Sequence, residues 1–222
     1  MKRQLNPMIP FLIAIIASAL FFILADYIFT SDLTNFQQSV FSFISRLRNP
    51  HLNTFMLTLT KTANPFPISV LTLILTLILL FKHQKKEALF SFLLILLTAG
   101  TNTLLKHLYL RQRPSVGSLI HETGFSFPSG HSMISLALAL LLSYLSLHFL
   151  SRRLIAYLFS TFLLAYAFLI GFSRVYINVH YVGDVLGGWL ASIAVFSILL
   201  CLFNLFSHTK KDHYDEHQKE TI

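Results

Sequence analysis

Six stretches of this chain are almost unbroken by charge: residues 8–29, 66–81, 88–110, 129–149, 154–176 and 181–206. Apolar runs of about 20 residues match the hydrocarbon core of a bilayer, where no water satisfies backbone polar groups, so each predicts a transmembrane helix. Residues 32–61, between the first two runs, carry Phe36, Val40, Phe43, Ile44 and Leu47 at helical spacing with Gln, Ser and Arg between them. That pattern predicts a helix lying in the membrane interface, either as the roof of a lipid entrance or as a plain connector. The expected fold is all-α: a six-span transmembrane helical bundle with a short interfacial helix between spans 1 and 2. One domain covers residues 1–222, ending in a polar tail from about residue 208.

Composition agrees with a chain that lives in lipid: 55% of the 222 residues are hydrophobic, 12% are charged and 22 are phenylalanine. The net charge of +8 raises the question of nucleic acid, but the basic residues are scattered between apolar runs and form no stripe that would track a phosphate backbone. The lipid bilayer is the expected partner, with no nucleic acid and no obligate protein partner evident. Cys201 is the only cysteine and lies inside the last run, so it forms no intramolecular disulfide and reads as a packing residue. Ala17-Ser18-Ala19 mimics a signal-peptidase site, yet hydrophobicity continues to Phe29, which favours a retained span. His213, Asp215 and His217 in the tail read as a solvated segment rather than a metal site.

Lysine and arginine set the orientation. With the N-terminus inside, ten of the seventeen fall on the cytoplasmic side: Lys2, Arg3, Lys82, Lys85, Lys86, Arg152, Arg153, Lys210, Lys211 and Lys219. Both termini are therefore expected in the cytoplasm. Charged groups at membrane depth are costly and mark function, and here they gather in three places: Lys106 and Arg113 at the end of the third span, Ser129-Gly130-His131 opening the fourth, and Arg174, His180 and Asp184 around the turn between the fifth and sixth. All three fall at the extracytoplasmic end.

Each cluster has its own chemistry. Lys106 and Arg113 are seven residues apart, two helical turns, so both are expected on one face, with Pro114 ending the helix. Ser129 and Gly130 follow Pro128 at a helix start, where free N–H groups and the dipole favour an anion. Ser129 reads as a plain N-cap or as part of a phosphate seat, and the nearby cations favour the seat. His180 and Asp184, four apart, suit a nucleophile and its orienting carboxylate. Arg174 supplies a bidentate clamp for phosphate. His107, His121 and Glu122 could each touch a lipid headgroup but read rather as solvated loop or interface positions, Asp26 could serve a headgroup or snorkel to the interface, and Gly187-Gly188 and Trp189 read as packing.

Taken together, Lys106-His-Leu-Tyr-Leu-Arg-Gln-Arg113-Pro114, Pro128-Ser129-Gly130-His131 and Ser173-Arg174-Val-Tyr-Ile-Asn-Val-His180-Tyr-Val-Gly-Asp184 resemble the three-part signature of the type 2 phosphatidic acid phosphatase superfamily, in order and spacing. The signature core spans residues 106–184. The resemblance implies that His180 attacks phosphorus to give a phosphohistidine, and that Asp184 holds its tautomer and stabilises the imidazolium. His131 would protonate the leaving oxygen and later activate water. Lys106, Arg113, Ser129, Gly130 and Arg174 would bind the phosphate. It implies no metal and no other cofactor.

The expected function is hydrolysis of a lipid phosphate monoester, of the phosphatidylglycerophosphate or phosphatidic acid class, at the outer face of a plasma membrane. Undecaprenyl diphosphate is the alternative substrate. The soluble vanadium haloperoxidases use a similar pocket, but six spans argue against that role. A non-enzymatic transporter or scaffold would account for the spans and leave the one-sided gathering of charged residues unexplained.

Overall fold

A computed structural model describes the backbone of residues 6–219 and the side chains of residues 6–206. Lys2, Arg3 and the side chains of the tail from His208, with His213, Asp215 and His217, lie outside the described residues. All the regular structure there is helical: α1 (Met8–Thr30), α2 (Thr34–Leu47), α3 (Pro50–Lys61), α4 (Pro65–Phe81), α5 (Lys85–Tyr109), α6 (Gly130–Phe149), α7 (Arg153–Tyr176) and α8 (Val182–Lys219).

Five of these, α1, α5, α6, α7 and the Val182–Phe206 part of α8, are each long and apolar enough to cross a membrane. The candidate for a sixth crossing is a bent pair, long and apolar enough only when its two helices are taken together. At 17 residues, α4 is short for a span, and it meets α3 at 46° across a short break. The single interfacial helix expected over residues 32–61 is therefore two helices. Pro50 disfavours helical geometry at Asn49, which is extended at φ −149°, ψ 162°, and Asn49 then caps α3 by accepting from Leu52 N at 2.9 Å. Only α2, with its apolar stripe, keeps the interfacial character, while α3 leads into α4.

The inner helices are α6 and α8, each with 56% of its apolar window buried, against 28% for α1 and 22% for α7, which face outward. Close approach of the inner pair requires glycine. A Cβ on Gly188 would come 2.7 Å from the Ser129 carbonyl oxygen, and one on Gly187 would come 2.5 Å from the Phe127 ring. Trp189 packs against Gly171 and stacks on Phe168 at 5.6 Å between ring centroids. Below this contact, Leu94, Ala137, Leu141 and Leu199 join α5, α6 and α8 in one core cluster. Arg48 ties α2 to the end of α7, donating through Nη2 to the Tyr176 carbonyl at 2.6 Å and through Nη1 to Gly117 O at 2.7 Å. That cation completes a helix C-terminus.

Candidate active site

The end of α5, the start of α6, the end of α7 and the start of α8 meet at one end of the bundle. Lys106 is on α5, as expected, but α5 stops at Tyr109 because Leu110 takes a left-handed conformation, φ +50°. The two-turn argument for Arg113 therefore fails. Arg113 arrives from the following loop and is held there by carbonyls: Nε donates to Gly124 O at 3.0 Å, Nη2 to Thr123 O at 3.2 Å and Nη1 to Val179 O at 2.9 Å.

The turn between α7 and α8 is tight. Asn178 enters the left-handed region at φ +58°, which asparagine tolerates better than most residues, and the Val179 and His180 N–H groups fold back onto the Arg174 carbonyl at 3.2 and 3.3 Å. His180 thus precedes α8 rather than riding on it. Asp184, in the first turn of α8, where the helix dipole favours an anion, reaches back to it: His180 Nδ1 lies 3.4 Å from Asp184 Oδ2. The ring's other nitrogen, Nε2, faces Arg113 Nη1 at 3.1 Å. Burial pushes the His180 pKa down to about 4, against the pull of Asp184, with Arg174 and Arg113 reinforcing burial. At neutral pH the ring is uncharged and one nitrogen keeps a lone pair, as a nucleophile requires.

Asp184 is fully buried and held on every side. Its Oδ1 pairs with Arg111 Nη1 at 2.5 Å, and its Oδ2 accepts from the Tyr181 N–H at 2.9 Å and from the Ser126 hydroxyl. Arg111 is in turn stacked over the Tyr181 ring, 4.5 Å from its centroid. The Asp184 carbonyl accepts from Ser129 N at 2.9 Å, locking the start of α8 to the start of α6.

Arg174 is 1% exposed. Its Nη1 donates to Thr60 Oγ1 at 2.9 Å and its Nη2 to Glu122 Oε1 at 2.6 Å, while Nε makes no hydrogen bond. Glu122 also comes within 3.7 Å of Arg113 Nη2. Burial raises the Glu122 pKa, but the Arg174 charge and hydrogen bond, with His131 and Arg113 behind them, hold it below the usual carboxylate range. His131, in the first turn of α6, places Nε2 at 2.8 Å from Asn64 Oδ1. The Ser129 hydroxyl is turned inward: it accepts from the Ser132 N–H and hydroxyl as the N-cap of α6, and the residue is wholly buried. Gly130, next to it, does line the cavity.

That cavity, of about 510 Å³, has Lys106, Arg113, Glu122, Gly130, His131 and His180 around its polar end. It then descends between α4, α5 and α6 along Thr103, Ala99, Thr98 and Ile95, with Ile68 and Ile134 opposite. Lys106 and Ile95 are eleven residues apart on one helix, so the slot runs about 16 Å at 1.5 Å per residue. Another cavity, of about 530 Å³, lies beneath α2 and reaches Arg111, Tyr181 and His180. It contains neither Lys106 nor His131, so the first cavity is the one suited to a phosphate.

Seven of the eight site residues expected from sequence thus gather within one cluster, and Ser129 joins it through its backbone. Arg111, Ser126, Glu122, Asn64 and Thr60 were missed as site residues. Arg111 had one visible signal, a cation between Lys106 and Arg113 beside a span. The other four are recruited over 52 to 114 residues of sequence, where no local pattern points to the partner.

The PAP2 superfamily matches residues 87–207, a range that contains all three clusters. Phosphatidylglycerophosphatase B of Bacillus subtilis (strain 168) is 33% identical over 187 residues, covering 81% of this chain and 89% of that protein. Among solved structures, the transmembrane PAP2 type phosphatidylglycerolphosphate phosphatase from Bacillus subtilis is similar, with a TM-score of 0.78, 28% identity, and coverage of 84% of this chain and 93% of that one. LpxE from Aquifex aeolicus gives a TM-score of 0.59 at 27% identity, with coverage of 73% and 93%.

Proposed function

The chain belongs to the PAP2 superfamily, and from that premise we propose that it is an integral membrane phosphoric monoester hydrolase acting on phosphatidylglycerophosphate or a lipid phosphate of the phosphatidic acid class. The observation that carries this reading is the shape of the cavity. Cations suited to a phosphate stand at one end, and a slot walled by Ile68, Ile95, Ala99 and Ile134, with Thr98 and Thr103 among them, runs from it toward the middle of the bundle and suits an acyl chain or glycerol backbone. A soluble phosphate ester would have no use for the second half.

In the reaction, Lys106, Arg113 and Arg174 hold the phosphoryl oxygens, with the N-terminus of α6 at Gly130 beneath them. His180 Nε2 attacks phosphorus. Its Nδ1–H is held by Asp184, which also stabilises the imidazolium charge of the phosphohistidine. His131 gives a proton to the leaving lipid oxygen and then takes one from the water that cleaves the N–P bond. Three cations and a helix terminus supply the charge stabilisation, so the mechanism proceeds without a metal. The excess of lysine and arginine at the other end of the bundle supports this reading's orientation, an extracytoplasmic site in a plasma membrane enzyme with both termini in the cytoplasm.

The deciding experiment is phosphate release by the purified protein in detergent, measured on phosphatidylglycerophosphate, phosphatidic acid, undecaprenyl diphosphate and a soluble sugar phosphate. Fastest turnover on a lipid monophosphate is expected. Equal turnover of the sugar phosphate would overturn the lipid assignment, and preference for the diphosphate would move the substrate to the isoprenoid carrier.

A further inference from the structure

Two helices of this protein begin with the same dipeptide and use it differently. Asn49-Pro50 opens α3 and Asn64-Pro65 opens α4, both with an extended asparagine at the N-cap and proline at the first turn. An asparagine at this place normally accepts a hydrogen bond from the second or third N–H of its helix, and removing such a cap costs about 0.5–2 kcal/mol. Asn49 does this, accepting from Leu52 N at 2.9 Å. Asn64 does not. It makes no cap bond, and its Oδ1 lies instead 2.8 Å from His131 Nε2. The asparagine that forgoes its cap is the one on the cavity wall with Lys106, Arg113 and His180.

We propose that Asn64 is the positioning residue for His131: its Oδ1 accepts the Nε2–H throughout turnover, which leaves Nδ1 as the nitrogen that passes the proton. The inference rests on the reading of His131 as general acid and base. His131 enters the first half-reaction as imidazolium, with a proton on each nitrogen: His180 Nε2 bonds to phosphorus, the ester P–O bond breaks, and the Nδ1 proton of His131 goes to the lipid alkoxide. In the second half, Nδ1 takes a proton from water as its oxygen bonds to phosphorus and the N–P bond breaks. The Nε2–H stays on Asn64 in both. The difference between the two histidines then has a physical reason. His180 faces a carboxylate, which stabilises the cation formed when its ring bonds to phosphorus. His131 faces a neutral amide, which fixes the ring without stabilising its cation and so does not oppose surrender of the proton.

The test uses Asn64→Ser, which can still cap α4 but is too short to reach His131, beside Asn64→Ala, with melting temperature as the check on folding. The readout is kcat/KM, which reports the steps up to leaving-group departure, on a lipid monophosphate and on p-nitrophenyl phosphate. Its phenolate leaves without acid help. General acid catalysis is typically worth ~10²–10⁴-fold, so partial loss of orientation should lower kcat/KM by about ten- to a hundredfold on the lipid. On p-nitrophenyl phosphate the value should stay within about threefold. The slowed hydrolysis of the phosphohistidine should also give a burst of p-nitrophenol. Equal losses on both esters, or no loss on either, would overturn the proposal. Histidine-selective ¹⁵N NMR decides independently of activity, with the His131 signal identified by its absence in His131→Gln. The proposal requires that the neutral His131 ring carry its proton on Nε2 in the wild type and lose this preference in Asn64→Ser, and a neutral wild-type ring protonated on Nδ1 overturns it. Should the wild type hydrolyse no phosphate ester, the functional reading fails while the NMR result still judges Asn64.

Discussion

In the free protein the groups that would hold phosphate are already holding a carboxylate. Glu122 sits 2.6 Å from Arg174 Nη2 and 3.7 Å from Arg113 Nη2, on the wall of the cavity that also contains Lys106 and His131. A phosphate entering this cavity must displace that carboxylate or bind beside a like charge. Glu122→Gln removes the charge and keeps the shape. A hydrogen bond to a charged group is worth about 1.5–3 kcal/mol, and the neutral amide oxygen would retain about 1 kcal/mol of it. The competitor is thereby weakened by about 0.5–2 kcal/mol, which converts to roughly two- to thirtyfold tighter binding of a phosphate mimic at 1.4 kcal/mol per tenfold. Orthovanadate is the probe, because it adopts the five-coordinate geometry of the transition state. Its inhibition constant against a lipid monophosphate, and its stabilisation of the protein against heat, should both move to lower vanadate in Glu122→Gln. Should vanadate bind the variant equally or more weakly, Glu122 is a brace that keeps Arg174 in place, and its description as a competing anion is wrong.

The remaining expectations concern the centre itself. His180→Ala should abolish turnover and phosphoenzyme labelling while the protein stays folded, whereas Asp184→Asn should be less severe, since the attacking nitrogen survives; activity above a few per cent in His180→Ala would remove it as nucleophile. Because burial lowers the His180 pKa to about 4, the nucleophile is neutral above that value. kcat/KM should therefore show no limb from this group near pH 6.5, and should fall about tenfold per unit only as pH drops below about 4. EDTA should leave the rate unchanged, and a loss restored by magnesium would contradict charge stabilisation by side chains alone. A cysteine at Ser118 should react with an impermeant thiol reagent in intact cells while one at Gln84 should not, and the reverse pattern would invert the topology.

What could be read from sequence here follows from the range over which each feature is determined. The spans were legible because lipid imposes a local rule on every twenty-residue stretch. The meeting of three charged clusters was legible because helices of similar length, alternating in direction, return every second connection to the same side. The break at Asn49-Pro50 had a local cause, the restriction that proline places on the residue before it, and the amphipathic spacing itself stops just short of it at Leu47, so reading 32–61 as one helix passed over a visible signal. Leu110 is different. Nothing about a leucine announces a left-handed conformation, and the turn it makes exists because the chain from Arg111 onward is held elsewhere, by Asp184, Gly124, Thr123 and Val179. The same holds for Glu122, an apparent loop residue whose partner, Arg174, is 52 positions away.

The balance of charge at the site bears on selectivity. Lys106, Arg111, Arg113 and Arg174 surround it with four formal positive charges, and Glu122 and Asp184 return two negative ones. Arg111 is matched by Asp184, and Glu122 is shared between Arg174 and Arg113, which leaves two positive charges in excess, that of Lys106 among them, to be met by a ligand. Unpaired charge at low dielectric is strongly unfavourable, so the site binds best the ligand that cancels it. A phosphate monoester carries about two negative charges at neutral pH. The phosphodiesters that make up the surrounding membrane carry one, and each would enter the cavity with a positive charge left over and a second esterified oxygen that no cation could use. Lipid diesters vastly outnumber any monoester in the same bilayer, so rejection of the singly charged headgroup matters as much as attraction of the doubly charged one. Neutralising Lys106 with methionine should therefore narrow the gap in affinity between monoester and diester lipids, a change that loss of fold would not produce.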